Sequence, residues 1–120
     1  MRALLDVNVL IALLDAQHLH HEAAVRWLKD NIRHGWATCP ITQNGCLRTM
    51  AQPAYPNCLP ASAVAERLRE ATATAHHQFW PDHVSLLALA VERQGRFVTF
   101  DARIARSAVA GAGNPGLCVI

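Results

Sequence analysis

This sequence has little charge, few aromatic residues and no long apolar run. Charged residues make up 17% and aromatic residues 6% of the chain, whereas apolar residues make up 52%. This balance is typical of a compact globular protein and excludes a disordered chain. The length of 120 residues fits one domain, which we assign to residues 1–120.

Signals for membranes and export are also missing from the sequence. The apolar stretches are far shorter than the roughly 20 residues that cross a bilayer. Asp6 interrupts the first apolar run too early for a signal peptide. The four cysteines form no CxxC pair, which favours reduced thiols over a metal or disulfide framework. We therefore expect a cytoplasmic protein with no membrane partner.

The charge balance does not identify a partner. The net charge is +2, from 11 basic and 9 acidic residues, and Lys29 is the only lysine. This is too nearly balanced to indicate nucleic-acid binding by electrostatics alone. Arginine favours bidentate phosphate contacts, but a GC-rich coding bias would give the same excess. The sequence also lacks a G-x-G-x-x-G motif, a P-loop and a G-x-S-x-G motif.

The order of apolar segments predicts an α/β fold. Short apolar runs are typical of strands at 2–5, 36–39, 76–80, 96–100 and 117–120. Amphipathic or alanine-rich segments predict helices from residue 7 and at 20–33, 41–51, 61–75, 83–93 and 101–109. Pro53, Pro56 and Pro60 enclose a loop. Strands that alternate with helices predict a mostly parallel, doubly wound sheet covered on both faces.

Two acidic residues directly follow predicted strands. Asp6 follows the first strand, and Asp101 follows the strand that ends at Phe100. Because ligands of open parallel sheets bind outside the carboxyl ends of the strands, we expect both acids at one edge. Two close carboxylates repel each other, and Mg²⁺ or Mn²⁺ would relieve that repulsion and assist phosphate hydrolysis. From the residues alone, helix N-capping explains each Asp equally well.

Three segments share their order and character with a known family. They are LLDVNVLI at 4–11, WATCPITQNG at 36–45, and LLALA at 86–90 followed by GRFVTFD at 95–101. Together they resemble PIN-domain ribonucleases, and in particular VapC-type toxins of bacterial toxin–antitoxin pairs. The resemblance runs over nearly the whole chain. It implies a PIN-like, Rossmann-like parallel sheet flanked by helices, with an acidic pocket that binds Mg²⁺ and cuts RNA.

The resemblance assigns roles to several residues of this chain. Asp6 and Asp101 match the first and last family acids, and are expected to be metal ligands and catalytic residues. Asn8 matches a polar residue that helps to orient the first acid. The second family acid lies in the helix after the second strand, where this sequence has only Gln43 and Asn44. These neutral amides bring no charge, which implies a weaker affinity for metal.

A further family acid has no direct counterpart here. Counting back from the LLALA run places it at His83, whereas Asp82 lies one residue earlier. One residue is a rotation of about 100° around a helix, so Asp82 would substitute only from a non-helical position. The chain is also short against the family, with a strand and a loop missing between Val84 and Leu86. Such an internal deletion predicts a surviving fold with weakened or lost catalysis.

Two functions follow from the resemblance. The first is the toxin of a type II toxin–antitoxin system, a Mg²⁺-dependent ribonuclease that forms a homodimer and binds a VapB-type antitoxin. The alternative is a catalytically impaired PIN-fold module that only binds the antitoxin. Both imply exposed apolar surface around Leu13, Leu14 and Leu19. A flavodoxin-like signalling domain is disfavoured, because the sequence lacks a central phosphate-accepting Asp and a late Lys.

The remaining conspicuous side chains are interpreted as structural. Two groups of histidines lack the spacing of a closed zinc site: His18, His20 and His21, and His76 with His77. The tryptophans are expected in the core or at partner contacts rather than as base-stacking platforms: Trp27, Trp36 and Trp80. Four arginines either line a phosphate-binding rim or lie on solvated helix faces: Arg67, Arg69, Arg103 and Arg106.

Overall fold

The computed structural model describes residues 1–81, 86–101 and 117–120. Its strands are Ala3–Leu5 (β1), Trp36–Thr38 (β2), His77–Phe79 (β3), Arg96–Thr99 (β4) and Leu117–Val119 (β5). Its helices are Val7–Leu14 (α1), His21–Asn31 (α2), Pro40–Met50 (α3), Ala61–Thr72 (α4) and Leu86–Glu92 (α5), with a 3₁₀ turn at Ile32–His34. The predicted α/β alternation is confirmed. The predictions for 101–109 and for residues 82 to 85 lie largely outside the described residues.

All pairings in the described sheet are parallel, in the order β3-β2-β1-β4-β5. The central strand β1 pairs with β2 on one side and with β4 on the other. The chain moves outward from β1 to β3 and then returns to β4, so the strand order reverses between β1 and β4. This reversal creates a crevice at the carboxyl ends of those two strands.

Alternate residues of the strands bury opposite faces of the sheet, as the pleat requires. Ala3 and Leu5 belong to one apolar cluster, which α1, α2, α3 and α4 cover. Leu4 belongs to a second cluster, to which α5 contributes Leu87 and Leu89. The sheet is therefore covered on both faces, as predicted. Within the described residues, no helix is long and apolar enough to cross a membrane.

Several helix boundaries differ from the prediction by a few residues. α3 begins at Pro40 rather than Ile41, because proline is favoured in the first turn, where its missing N–H costs no helical hydrogen bond. α4 ends at Thr72 rather than at residue 75. Gly45 allows a close approach between α3 and α1. A Cβ atom there would lie 2.7 Å from Cγ2 of Val7 in α1.

Asp15 is a buried carboxylate that ties the proline-rich loop to the end of α1. Its side chain accepts hydrogen bonds from Tyr55 Oη at 2.5 Å, Asn57 Nδ2 at 3.2 Å and the Gln17 N–H at 3.0 Å. Burial acts to raise the pKa of Asp15. The hydrogen bonds, together with the charge of His18, outweigh burial and hold that pKa below its ordinary value. The ionised form of Asp15 therefore stabilises the fold.

We expect Asp15→Ala to lower the free energy of unfolding by about 2–3 kcal/mol at neutral pH, since it removes hydrogen bonds to a buried charge. The contribution of Asp15 is present above the unfolded pKa and is lost as pH falls through the lower, folded pKa. Urea unfolding at pH 7 and in acid checks both points. Tyr55→Phe is the control, and it should cost less because one hydrogen bond is removed. Equal stability of Asp15→Ala and the parent chain at pH 7 would contradict the assignment.

Candidate active site

Asp6 and Asp101 lie beyond the carboxyl ends of neighbouring strands, at the crevice where the strand order reverses. Asp6 follows β1, and its N–H donates to the carbonyl oxygen of Val98 at 2.8 Å. This bond continues the pairing of β1 with β4 by one residue. Asp101 stands two residues after the end of β4, and both acids are partly buried. The expectation that the two acids share one edge of the sheet is confirmed.

The carboxylate of Asp6 is held by two hydrogen bonds. Oδ1 accepts from the Val7 N–H at 2.7 Å, and Oδ2 accepts from the Thr99 hydroxyl at 2.7 Å. Asp6 is also the N-cap of α1, so the capping interpretation describes part of its role. A carboxylate offers about four lone-pair positions, and two hydrogen bonds leave acceptor capacity for a cation. Capping and metal binding are therefore compatible at Asp6.

Thr99 links the polar groups of this edge. The apolar pattern marks it only as one residue of the strand predicted at 96–100. Its fully buried hydroxyl donates to Asp6 and accepts from Asn8 Nδ2 at 3.2 Å and the Asp101 N–H at 3.0 Å. One donor and two acceptor positions are all that a hydroxyl has. A threonine two residues before a strand-end aspartate was the sequence signal that could have identified it.

Asn8 acts on Asp6 through Thr99 rather than directly. Its amide nitrogen donates to the Thr99 hydroxyl, and its Oδ1 accepts from the Phe100 N–H at 3.3 Å. Asn8 thereby fastens the first turn of α1 to the chain between Thr99 and Asp101. This arrangement fits the orienting role that the family resemblance implied for Asn8.

A second polar cluster lies on the β2 side of the sheet. Gln43 Nε2 donates to the buried Thr38 hydroxyl at 2.9 Å, and that hydroxyl lies 2.8 Å from His77 Nε2. Burial lowers the pKa of His77, as does the charge of Arg2, while a hydrogen bond with the Thr72 backbone opposes them. Gln43 is thus fixed by β2, and Asn44 is exposed. Asp82 and His83 lie outside the described residues.

His21 and His77 make separate contacts with the backbone and with a hydroxyl group. His21 Nδ1 lies 2.7 Å from the Ala12 carbonyl oxygen, and His77 contacts Thr38. Over the described ranges, no three or more His, Cys, Asp or Glu side chains form a group that could hold a metal. Among the described residues, the carboxylates that follow β1 and β4 are those of Asp6 and Asp101.

The tryptophans and arginines contribute chiefly to packing and helix ends. Trp36 and Trp80 are each 5% exposed, which confirms their expected place in the core. Arg67 Nη1 donates to the Leu14 carbonyl oxygen at 3.0 Å, and Arg69 pairs with Glu66. The structure thus places these two arginines on helix contacts. The remaining two candidates for a phosphate-binding rim, Arg103 and Arg106, lie outside the described residues.

The apolar surface expected on the first helices is present. Leu19 is 88% exposed between α1 and α2. Leu13 and Leu14 are partly buried and line an apolar groove of about 400 Å³ between α1, α2 and α4. The groove also contains Val25, Leu28 and Ala71.

This chain is similar in sequence to several known ribonucleases. No family model matches it. Ribonuclease VapC44 of Mycobacterium tuberculosis is 44% identical over 142 positions that cover all of both chains. Ribonuclease VapC39 of the same organism is 42% identical, over 92% of this chain and 96% of the relative. Ribonuclease VapC29 is 40% identical, over 76% of this chain and 65% of the relative.

The first of these alignments is longer than the chain itself. It spans 142 positions, whereas this chain has 120 residues. The chain therefore lacks positions that the relative has, as an internal deletion would produce. The location of the gap, between Val84 and Leu86, stays a prediction.

We expect Thr99→Val to lower the free energy of unfolding by about 1–3 kcal/mol, because the Asn8 amide and the Asp101 N–H lose their buried acceptor. Thr99→Ser keeps the hydroxyl and should retain most of the parent chain's free energy of unfolding. Urea unfolding of the two variants and the parent chain measures the difference. Equal stability of Thr99→Val and Thr99→Ser would show that the hydroxyl does not hold this edge together.

Proposed function

This chain belongs to the VapC family of ribonucleases, and we propose that it is the toxin of a type II toxin–antitoxin system. In this proposal it is a Mg²⁺-dependent ribonuclease that hydrolyses RNA phosphodiester bonds. The observation that carries the proposal is the position of Asp6 and Asp101 at the crevice between β1 and β4. Ligands of open parallel sheets bind at such a reversal of strand order.

The residues at the crevice fit a hard divalent cation. Mg²⁺ is commonly bound through one or two carboxylates and keeps several waters. Asp6 and Asp101 would supply the carboxylates, and Mn²⁺ takes the same oxygen donors. When bound, the cation would activate a water molecule and stabilise the charge of the phosphate.

The chain itself would contribute orientation and preorganised charge. Thr99 and Asn8 fix Asp6 and the segment from Thr99 to Asp101 by hydrogen bonds within the protein. A site whose side chains are already held by such bonds needs little rearrangement when substrate arrives. Hydrolysis then adds the oxygen of water to phosphorus and breaks one P–O bond of the RNA.

Two protein partners and a location belong to the proposal. A VapB-type antitoxin would bind the toxin, and two toxin chains would form a homodimer. The exposed Leu19 and the apolar groove beside Leu13 and Leu14 support protein contacts on the first helices, because apolar surface of this kind is often buried by a partner. A toxin that cuts cellular RNA would act in the cytoplasm.

The second candidate is a catalytically impaired module that only binds the antitoxin. It is supported by the positions that this chain lacks relative to VapC44. It is further supported by Gln43, which is neutral and hydrogen-bonded to Thr38 where a family acid is expected. With fewer negative charges at the crevice, the affinity for Mg²⁺ would fall.

We expect Asp6→Asn and Asp101→Asn each to reduce RNA cleavage at least about 100-fold, since each removes a charged metal ligand. The measurement is cleavage of a mixed RNA pool by purified protein with Mg²⁺, with Mn²⁺ and with a chelator. Asp30→Asn is the matched control, because Asp30 is an exposed acid on α2, and it should cut like the parent chain.

Two results separate the candidates. Metal-dependent cutting that both site variants lose and Asp30→Asn keeps would support the ribonuclease. If the folded parent chain leaves the RNA pool intact under every condition, the ribonuclease is rejected in favour of the antitoxin-binding module. Cutting that persists in the chelator or in Asp6→Asn would point to a contaminating nuclease.

We expect the purified chain to have twice the mass of one protomer, because dimerisation would bury apolar surface. Light scattering coupled to size-exclusion chromatography measures this mass directly. Leu19→Ser tests whether the exposed leucine takes part. Leu19 is suitable because its side chain is 88% exposed, so its replacement leaves the core intact. A monomeric parent chain at micromolar concentration would contradict the homodimer.

A further inference from the structure

An aromatic pair includes Phe100, which lies in the same segment after β4 as Asp101. The rings of His20 and Phe100 have centroids 4.9 Å apart and an interplanar angle of 32°. His20 is exposed and Phe100 is partly buried. The His18 ring adds a third aromatic neighbour, 5.8 Å from that of His20, and its Nδ1 accepts the His20 N–H at 3.0 Å. The loop that joins α1 to α2 thus presents an exposed imidazole that packs against Phe100.

The pair is attached to the same edge as the acids. Phe100 lies between Thr99 and Asp101 in the chain, and its N–H donates to Asn8 Oδ1 at 3.3 Å. The same Asn8 side chain reaches the Thr99 hydroxyl, which in turn donates to Asp6. The hydrogen bonds that fix the carboxylates therefore also fix the backbone of Phe100.

At this edge of the sheet, an aromatic contact with a nucleobase would suit RNA binding better than a further charged contact. Without the cation, the carboxylates repel the phosphates of RNA, so an uncharged contact with a base would add affinity that does not depend on the metal. A ring face attracts a nucleobase without adding charge, and such stacking tolerates any base. Single-stranded RNA is commonly bound through aromatic side chains, histidine included.

We propose that His20 and Phe100 form a stacking platform for one nucleobase of single-stranded RNA, next to the phosphate at Asp6 and Asp101. This proposal rests on the proposed ribonuclease function and specifies how that site holds its substrate. Trp36 and Trp80 are buried and cannot serve in the same way. Phe79 is 48% exposed, but it ends β3, two strands away from β1.

The test uses a short single-stranded RNA in which 2-aminopurine replaces one base at a time. Binding is measured in a chelator, so that the RNA stays uncut, and stacking is detected as quenching of 2-aminopurine fluorescence. With the parent chain we expect quenching at one position. His20→Ala should lose this quenching and weaken binding about tenfold, the size of one stacked base. His20→Phe should keep both, because the ring remains.

Phe79→Ala is the matched control, since it removes an exposed aromatic ring from the same sheet without touching the pair. It should bind and quench like the parent chain. The platform is rejected if His20→Ala binds and quenches like the parent chain. It is equally rejected if His20→Lys keeps binding and His20→Phe loses it, because His20 would then contact a phosphate through charge.

The cleavage assay separates this proposal from the ribonuclease itself. Metal-dependent cutting together with unchanged RNA binding by His20→Ala overturns the platform alone. His20-dependent stacking by a parent chain that cuts no RNA overturns the ribonuclease alone. A folded parent chain that neither binds nor cuts the RNA overturns both.

Discussion

The parallel pairing of β1 with β4 is the contact on which the candidate site depends. Leu5 lies opposite Val98, and the Asp6 N–H continues the pairing to the Val98 carbonyl oxygen. Because residues that follow adjacent parallel strands emerge at one edge, this register brings Asp6 beside Thr99 across 93 positions of sequence. A shift of one residue would send the side chains of β4 to the opposite faces of the sheet. The register therefore fixes both the core and the site.

At this edge of the sheet, buried hydroxyl groups fix how the helices pack on the strands, as apolar side chains do in the core. Thr99 and Thr38 are fully buried, and each is satisfied by side chains from other elements. A buried polar group without a partner is costly, so these hydrogen bonds specify one arrangement of α1 and α3 over the sheet. At the other end of α1, the buried carboxylate of Asp15 is likewise satisfied by hydrogen bonds. Its network holds the proline-rich loop in place.

Both faces of the described sheet are covered, although this chain lacks positions that VapC44 has. α5 places Leu87, Leu89 and Ala90 against the second face, where they meet Leu4 and Phe97. The fold requires only that this face be covered, and among the described residues α5 is the helix that covers it. Catalysis by such a site would require carboxylates at defined positions, and apolar packing cannot substitute for them. A deletion can thus preserve the fold of a nuclease and still change its site.

The sequence by itself determined the alternation of strands and helices, and hence the parallel sheet, because apolar periodicity and proline positions report local structure directly. It also placed Asp6 and Asp101 at one edge, since each directly follows a predicted strand. It did not reveal Thr99 as the group between them, nor the contact of His20 with Phe100, 80 residues later. Those contacts depend on strand order and on the path of the loop after α1. Only the tertiary structure decides which distant side chains share a hydrogen bond or a ring face, because that depends on packing rather than on local pattern.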